Sequence, residues 1–134
     1  IEWYIEDLKK SRPEMKIGFQ AVGVKRRLTP SIEIALYRIF QESLNNVLKH
    51  SAAVEIDIRL TRSHPNVIFS CKDDGKGFEM GEDGFPGDES IGIGLLSMKE
   101  RTDALNGKFM LKSALDKGTR VRVELPMQEV EKDG

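Results

Sequence analysis

Three polar residues on one predicted helix have the types and spacing to hold a metal-bound phosphate. Glu42 and Asn46 are four residues apart and Lys49 is three further on, so their side chains stack over adjacent helical turns. An amide oxygen suits Mg²⁺, which takes few protein ligands when phosphates supply the rest. Lys49 offers phosphate a point charge, and Glu42 could accept a proton from an attacking nucleophile. An ordinary solvated helix face is the commoner explanation of such residues.

An acid stands at the end of a predicted strand, on its apolar side. The strand from Val67 to Asp73 carries apolar residues at every second position, and the pleat aims the Asp73 carboxylate to the same side. In an apolar pocket a carboxylate, which only accepts hydrogen bonds, would pair with an exocyclic amine such as that of adenine. Gly75 and Gly77 allow a ligand to approach the backbone closely. A simple Asp-Gly turn explains the same pattern.

A third candidate is the pair of glycines in Gly92–Gly94, immediately before a predicted helix. Free backbone N–H groups and the helix dipole favour an anion at such a place. The segment is neither a dinucleotide fingerprint nor a P-loop, because no suitable strand precedes it and the glycine-lysine-serine ending is absent. A flexible connector would carry the same residues. The pair Gly118–Thr119 at the start of the last strand is a weaker candidate.

Hydrophobic periodicity predicts the elements that position these residues. Helices are predicted over 1–10, from Pro30 to about His50 with Thr29 as the capping residue, and from Leu95 to Asn106–Gly107. Strands are predicted over Lys16–Val22, Val54–Leu60, Val67–Asp73, Phe109–Ser113 and Thr119–Leu125, and a loop over Gly75–Gly94. The order predicts an α+β fold, a two-layer α/β sandwich with helices on one face of a mixed, mostly antiparallel sheet.

The composition is that of one ordinary soluble domain. Among 134 residues, 39% are hydrophobic and 32% charged, and the net charge of −1 gives no global field to recruit nucleic acid or anionic lipid. Any phosphate binding must therefore be local. Cys71 is alone, which excludes an intrachain disulfide. We expect a domain over 13–127, the tail of a preceding helix over 1–12 and a charged tail over 128–134, in a piece trimmed from a longer protein.

Taken in order, these motifs resemble the Bergerat nucleotide-binding fold shared by sensor histidine kinases, gyrase, MutL and the ninety-kilodalton heat-shock chaperones. Tyr37–His50 resembles the family's N box, Asp73–Phe78 its first glycine box and Gly92–Leu95 its second. Glu42, the Lys49–His50 ending and the helix over Met98–Arg101 are similar to the kinases whose partner regulators carry helix-turn-helix output domains, the NarL type. The resemblance covers residues 17–126.

The resemblance implies a site for ATP and Mg²⁺. It implies that Asn46 ligates Mg²⁺, that Asp73 binds the adenine amine and that Glu42 deprotonates or orients an incoming histidine. The further residues implied to contact the nucleotide or shape its pocket are Asn45, Lys49, His50, Gly75, Gly77, Phe78, Gly92, Ile93, Gly94, Leu95 and Thr119, the last supporting Asp73 through water. Phosphoryl transfer is mainly positioning plus charge neutralisation, which these groups could supply.

The resemblance also implies partners. The phosphorylated histidine is expected on an upstream dimerisation hairpin, because neither His50 nor His64 has a suitable context. A response regulator is expected as the partner of the full-length kinase. The full-length protein is expected to be a homodimeric, membrane-associated kinase with this domain in the cytoplasm, where it contacts neither nucleic acid nor membrane. Open alternatives are an ATPase or anti-sigma-type serine kinase on the same fold, against which the Lys49–His50 ending argues, and a non-catalytic nucleotide-sensing module.

These expectations predict how the isolated chain behaves with ATP. It should bind a fluorescent ATP analogue when Mg²⁺ is present, yet form no stable phosphohistidine, because it holds no suitable acceptor. Incubation with radiolabelled ATP followed by acid and alkali treatment checks this, since phosphohistidine survives alkali and not acid. A labelled histidine within this chain would contradict the prediction.

Overall fold

A computed structural model describes residues 2–23, 28–51, 55–82 and 89–127. In chain order the elements are α1 (Glu2–Ser11), β1 (Lys16–Val22), α2 (Pro30–Asn46), a π-helical turn (Val47–Ser51), β2 (Glu55–Ser63), β3 (Asn66–Asp73), α3 (Glu89–Ala104), β4 (Lys108–Ser113) and β5 (Thr119–Pro126). The predicted charged tail over 128–134 and the middle of the predicted glycine-rich loop lie outside the described residues. Within those ranges no helix has the length and apolar character needed to cross a membrane.

The five strands form one mixed sheet in the order β1-β2-β3-β5-β4. The pairing of β1 with β2 is parallel, because α2 crosses between them, and the other three pairings are antiparallel. The predicted mixed, mostly antiparallel sheet is confirmed, with β1 at one edge. The register places Asp73 opposite Ile56 on β2 and opposite Thr119 on β5.

One face of the sheet is buried beneath the helices. Every second residue of the three central strands β2, β3 and β5 points into this core, and Phe69 and Phe40 are its largest fully buried side chains. Helix α2 and the π-helical turn after it cover the sheet with the five residues predicted to face it, which are Ile32, Leu36, Phe40, Leu44 and Val47. Burying each such side chain contributes about 1.5–3 kcal/mol. In the part of the chain that the structure describes, the opposite face of the sheet has no helix against it and is mostly polar, so the predicted two-layer sandwich is confirmed.

Helix α2 begins at Pro30 as predicted, but not by the predicted cap. Thr29 stands at the N-cap position, yet its side chain makes no cap hydrogen bond and its Oγ1 is buried without a partner among the described residues. Instead, Glu33 reaches back, and its Oε2 accepts the N–H of Leu28 at 3.2 Å. Pro30 assists because it has no N–H to satisfy in the first turn.

Two helix boundaries differ from the sequence prediction. The α-helix of α2 ends at Asn46 and continues as the π-helical turn, rather than running unbroken to His50. Helix α3 begins at Glu89, so Gly92 and Gly94 lie inside it and not before it. A glycine inside a helix costs about 1 kcal/mol, and close packing of Gly94 against α2 outweighs that preference. The left-handed ending of α3 is confirmed, since Asn106 has φ of 60°.

Cys71 on β3 lies in this core with 4% of its surface exposed. Burial raises the pKa of its thiol from 9.0 to about 12, with smaller contributions from the carboxylates of Asp73 and Asp57. Between these two pKa values the unfolded chain loses a proton that the folded protein keeps. The unfolded state then binds fewer protons, and the free energy of unfolding must fall as the pH rises.

The free energy of unfolding should therefore decrease above about pH 9 by at most about 1.4 kcal/mol per pH unit from this thiol. Urea unfolding at several alkaline pH values measures the slope. Cys71→Val keeps an apolar side chain of similar size and removes the titration, so its slope should be shallower than that of the wild type. Equal slopes for the two proteins would rule out this role for the thiol.

Candidate functional site

Glu42 and Asn46 face helix α3 at Gly94. A Cβ atom built on Gly94 would lie 2.5 Å from Oε2 of Glu42 and 3.5 Å from Oδ1 of Asn46. Gly94 itself is buried, so the two polar side chains occupy the space that a side chain would need. The structure thus brings together three residues that the sequence analysis selected from two separate motifs.

The side-chain amide of Asn46 has a hydrogen-bond donor that is unsatisfied among the described residues. Its Nδ2 is buried and has no hydrogen-bond partner within the described part of the chain. Leaving such a group unsatisfied costs about 1–3 kcal/mol, which a ligand could offset. The amide lies beside a carboxylate at a contact between two helices, and its oxygen is of the kind that Mg²⁺ prefers. The residues present therefore fit a nucleotide-bound metal.

Glu42 also lines an open cleft where α2, α3 and α1 meet. The cleft has a volume of about 220 Å³, and its lining residues are Tyr4, Arg38, Gln41, Glu42, Asn45, Ser97, Met98 and Arg101. The buried hydroxyl of Ser43 contacts Sδ of Met98 at 3.5 Å and holds α2 against α3 beneath it. The Glu42 carboxylate can therefore be approached through the cleft by a group from another chain or domain.

Asp73 is buried at the end of β3, with 5% of its surface exposed. Its Oδ1 accepts the N–H of Gly75 at 2.8 Å, which closes the acid-glycine turn on the carboxylate. The next residue, Asp74, is exposed, and its Oδ1 accepts the N–H of Glu55 at 2.9 Å. The pleat thus aims Asp73 toward the core side of the sheet, as the alternation predicted.

The hairpin between β4 and β5 braces this turn. Gly118 has φ of 80°, and a Cβ atom there would overlap the carbonyl oxygen of Asp73. Gly77 has φ of 62°, and a Cβ atom there would overlap the carbonyl oxygen of Ala114. Only glycine fits both positions without strain, because the backbone is left-handed and the neighbouring chain is in contact.

Ser113 joins the turn to the hairpin through three hydrogen bonds. Its Oγ accepts the N–H of Phe78 at 2.9 Å, donates to the carbonyl of Gly118 at 3.0 Å and lies 2.9 Å from Oγ1 of Thr119. Ser113 is not among the site residues predicted from the sequence, since it belongs to no motif. The predicted hairpin, which pairs it with Thr119, was the signal that could have found it.

The predicted site residues fall into two groups. One contains Glu42, Asn46 and Gly94, and the other contains Asp73, Gly75, Gly77, Phe78 and Thr119. The convergence of both groups on one nucleotide stays a prediction.

The remaining predicted residues differ in exposure. Lys49 is exposed on the π-helical turn, and the His50 side chain lies outside the described residues. Gly92 lies in the first turn of α3, whereas Gly94 lies in the second. Ile93 is 70% exposed and Leu95 belongs to the core.

Comparison with known proteins identifies the family. Residues 31–129 match the family of histidine kinase-, DNA gyrase B- and HSP90-like ATPases. The chain therefore belongs to this family, and it is an ATP-binding catalytic domain of the histidine kinase type. The resemblance stated from its motifs is confirmed.

The chain is similar to two-component kinases over most of its length. It is 36% identical over 126 residues to the signal transduction histidine-protein kinase/phosphatase DegS of Bacillus subtilis, covering 92% of this chain and 32% of that protein. It is 33% identical to the oxygen sensor histidine kinase NreB of Staphylococcus carnosus, covering 78% of this chain and 29% of that protein. Both are named as histidine kinases, and the chain spans about a third of their length.

Solved structures confirm the fold. The histidine kinase AdeS of Acinetobacter baumannii superposes with a TM-score of 0.71 at 15% identity, over 96% of this chain and 65% of that one. The mycobacterial sensor histidine kinase MprB gives 0.67 at 18% identity, over 96% of this chain and 93% of that one. The two-layer architecture is therefore that of histidine kinase ATPase domains.

Replacing Gly94 by alanine should separate stability from binding. Alanine is favoured over glycine inside a helix by about 1 kcal/mol, so the melting temperature should stay or rise. The new methyl group would overlap Oε2 of Glu42 and displace its carboxylate, and we expect affinity for a fluorescent ATP analogue with Mg²⁺ to fall roughly fivefold to twentyfold.

The double variant Glu42→Ala/Gly94→Ala is the matched control, because it removes the displaced carboxylate. Its affinity should return to that of Glu42→Ala alone. Wild-type affinity in the single Gly94→Ala variant would show that this helix contact does not shape the site.

Proposed function

We propose that this domain binds ATP with Mg²⁺ and, in the full-length kinase, donates the γ-phosphate to a histidine of an upstream phosphoacceptor domain. The observation that carries the proposal is the meeting of Glu42, Asn46 and Gly94 where α2 packs on α3. This contact joins a candidate metal ligand, a candidate base and the glycine segment at the start of α3. Phosphoryl transfer needs such positioning more than it needs covalent chemistry.

The Asp73 group recognises the adenine base in this proposal. The buried carboxylate takes the exocyclic amine, while the Gly75 N–H keeps it oriented. Thr119 lies directly opposite Asp73 on β5 and shares the hydrogen-bonded cluster of Ser113, so it holds the rim of the pocket. Gly77 and Phe78 follow in the same turn, where the absence of a side chain at position 77 lets the turn lie against the hairpin.

The group of residues around Asn46 binds the phosphates in this proposal. Asn46 would hold Mg²⁺ through its amide oxygen, and Mg²⁺ would neutralise charge on the phosphate oxygens. Lys49 offers a further positive charge from an exposed position on the π-helical turn, which also contains His50, and Asn45 lies in the last turn of α2. Gly92 lies in the first turn of α3, where the helix dipole favours an anion.

Glu42 meets the acceptor in this proposal. The cleft that it lines is bordered by Arg38 and Arg101, and its open side admits a side chain from another domain. An imidazole entering there would donate its N–H to the Glu42 carboxylate, which orients the ring or takes its proton. Glu42 is therefore assigned to the transfer step and not to nucleotide affinity.

The partners of the full-length protein follow from the same assignment. The acceptor histidine lies on an upstream dimerisation domain of a homodimer, and the phosphate then passes to a response regulator. The domain works in the cytoplasm as part of a membrane-associated kinase. Support comes from the similarity to DegS and NreB, each named as a histidine kinase.

Two substitutions should separate binding from transfer in the full-length kinase. Glu42→Gln should leave affinity for ATP with Mg²⁺ within about twofold and slow autophosphorylation by roughly 10²–10⁴-fold, the range of a general base. Asn46→Ala should weaken Mg²⁺-dependent nucleotide binding. Glu100→Gln, an exposed change of the same charge on α3, is the control and should leave both quantities unchanged. Equal phosphorylation in Glu42→Gln and wild type would remove Glu42 from the mechanism.

A further inference from the structure

The open face of the sheet, opposite the helices, carries three basic side chains in one line across three strands. Lys72 on β3 lies directly opposite Arg120 on β5, and Arg120 lies directly opposite Lys112 on β4. All three residues are exposed. We call Lys72, Arg120 and Lys112 the basic row. Neighbouring strands are about 4.8 Å apart, so the row extends over roughly 10 Å.

Two acids on the open face of the sheet, Asp57 and Glu124, are engaged by arginines outside the basic row. The carboxylate of Asp57, next to Lys72 in the same line, binds Nε of Arg59 at 3.1 Å. It also leans away from Lys72, since a Cβ atom on Gly18 of β1 would lie 3.6 Å from its Oδ1. Glu124 pairs with Arg122 at 3.4 Å. Among the residues that the structure describes, none forms an ion pair with the basic row.

This arrangement is unfavourable for the protein alone. Like charges directly opposite on neighbouring strands destabilise a sheet, and Arg120 takes part in two such pairs. The composition does not force it, because the chain has 22 acidic and 21 basic residues. The side chains are exposed and contribute nothing to the core. A bound anion would turn this repulsion into attraction.

The surface beside the basic row is concave. A cleft of about 250 Å³ is lined by the three residues of the row, by Lys117 of the hairpin turn, and by Asp73, Ser113, Ala114, Gly118 and Thr119. Four cationic side chains thus surround one space. The guanidinium of Arg120 can bind two phosphate oxygens at once, and the lysines add point charges around it.

We propose that the basic row and Lys117 form a binding site for a phosphate-bearing anion on the open face of the sheet. The basic row and the proposed nucleotide site lie on opposite faces of the sheet, because Lys72 and Asp73 are consecutive on β3 and point to opposite faces, and they meet at the strand end, where Asp73 also lines the cleft. Arg120 and Thr119 are separated in the same way on β5. The proposal does not rest on the proposed function, since the four cationic side chains that carry it have no assigned role in nucleotide binding.

Titration with inorganic pyrophosphate in Mg²⁺-free, low-salt buffer tests the proposal. Amide and side-chain resonances of Lys72, Lys112 and Arg120 should shift in NMR spectra. The triple variant Lys72→Gln/Lys112→Gln/Arg120→Gln should bind pyrophosphate at least about tenfold more weakly. Its melting temperature without anion should stay or rise, because like-charge repulsion is removed.

A second triple variant controls for net charge. Lys9→Gln/Lys10→Gln/Arg12→Gln also removes two lysines and one arginine, from exposed positions in and just after α1, and should bind pyrophosphate within about twofold of wild type. Equal weakening in both variants would show that only net charge matters and would overturn the proposal. So would pyrophosphate shifts that avoid the basic row.

A second arm identifies the source of the phosphate. Vesicles of phosphatidylcholine and phosphatidylglycerol in a 4:1 ratio replace pyrophosphate in a co-sedimentation assay with the same variants. Vesicle binding that the basic-row variant alone loses assigns the site to lipid headgroups, and pyrophosphate binding without vesicle binding assigns it to a free phosphate compound. Binding in neither arm would refute the site.

Discussion

The structure depends on keeping a carboxylate among apolar side chains at the end of a core strand. Asp73 shares the buried face of β3 with Phe69 and Cys71, where a charge without hydrogen bonds would be strongly unfavourable. The N–H of Gly75 donates one hydrogen bond to the Asp73 carboxylate, which is possible only because the chain turns immediately after β3. The hairpin holds that turn in place, with Gly118 against the Asp73 backbone. Asp73, the turn that follows it and the hairpin between β4 and β5 therefore depend on one another, and a substitution in one of them should destabilise the other two.

A second constraint acts where the two long helices meet. Polar side chains on α2 need room beside α3, and a glycine at position 94 provides it at the expense of helix propensity. The buried, unpartnered amide of Asn46 adds a further local cost. Natural proteins keep such unfavourable features mainly at functional sites, where a ligand offsets them. The change from α-helix to π-helix directly after Asn46 fits this, since π-helical turns are frequent at functional sites.

The sequence predicts the structure correctly where the periodicity of the hydrophobic residues alone decides it. Alternation identified all five strands and placed Asp73 on the core side, and helical spacing identified the face of α2 that covers the sheet. It failed where tertiary contacts override local preference. Gly92 and Gly94 indicated a loop, yet packing against α2 draws them into α3. Thr29 is of a residue type that caps helices, but its side chain makes no cap hydrogen bond. Instead, the Glu33 carboxylate accepts the N–H of Leu28, just before the helix. Ser113 became visible only through the strand register, which the sequence specifies weakly.

The alternation of β3 and β5 explains how one pair of strand ends can carry two opposite chemistries. On the core side, Asp73 and Thr119 present a hydrogen-bond acceptor and a hydroxyl, which suit a neutral base. One residue away on the open side, Lys72 and Arg120 present positive charge to solvent. The net charge of −1 does not reveal this separation. Positive and negative side chains cancel in the sum over the chain, although they lie on different faces of the sheet. Composition excludes a global attraction for phosphates, whereas strand register determines where a local one can exist.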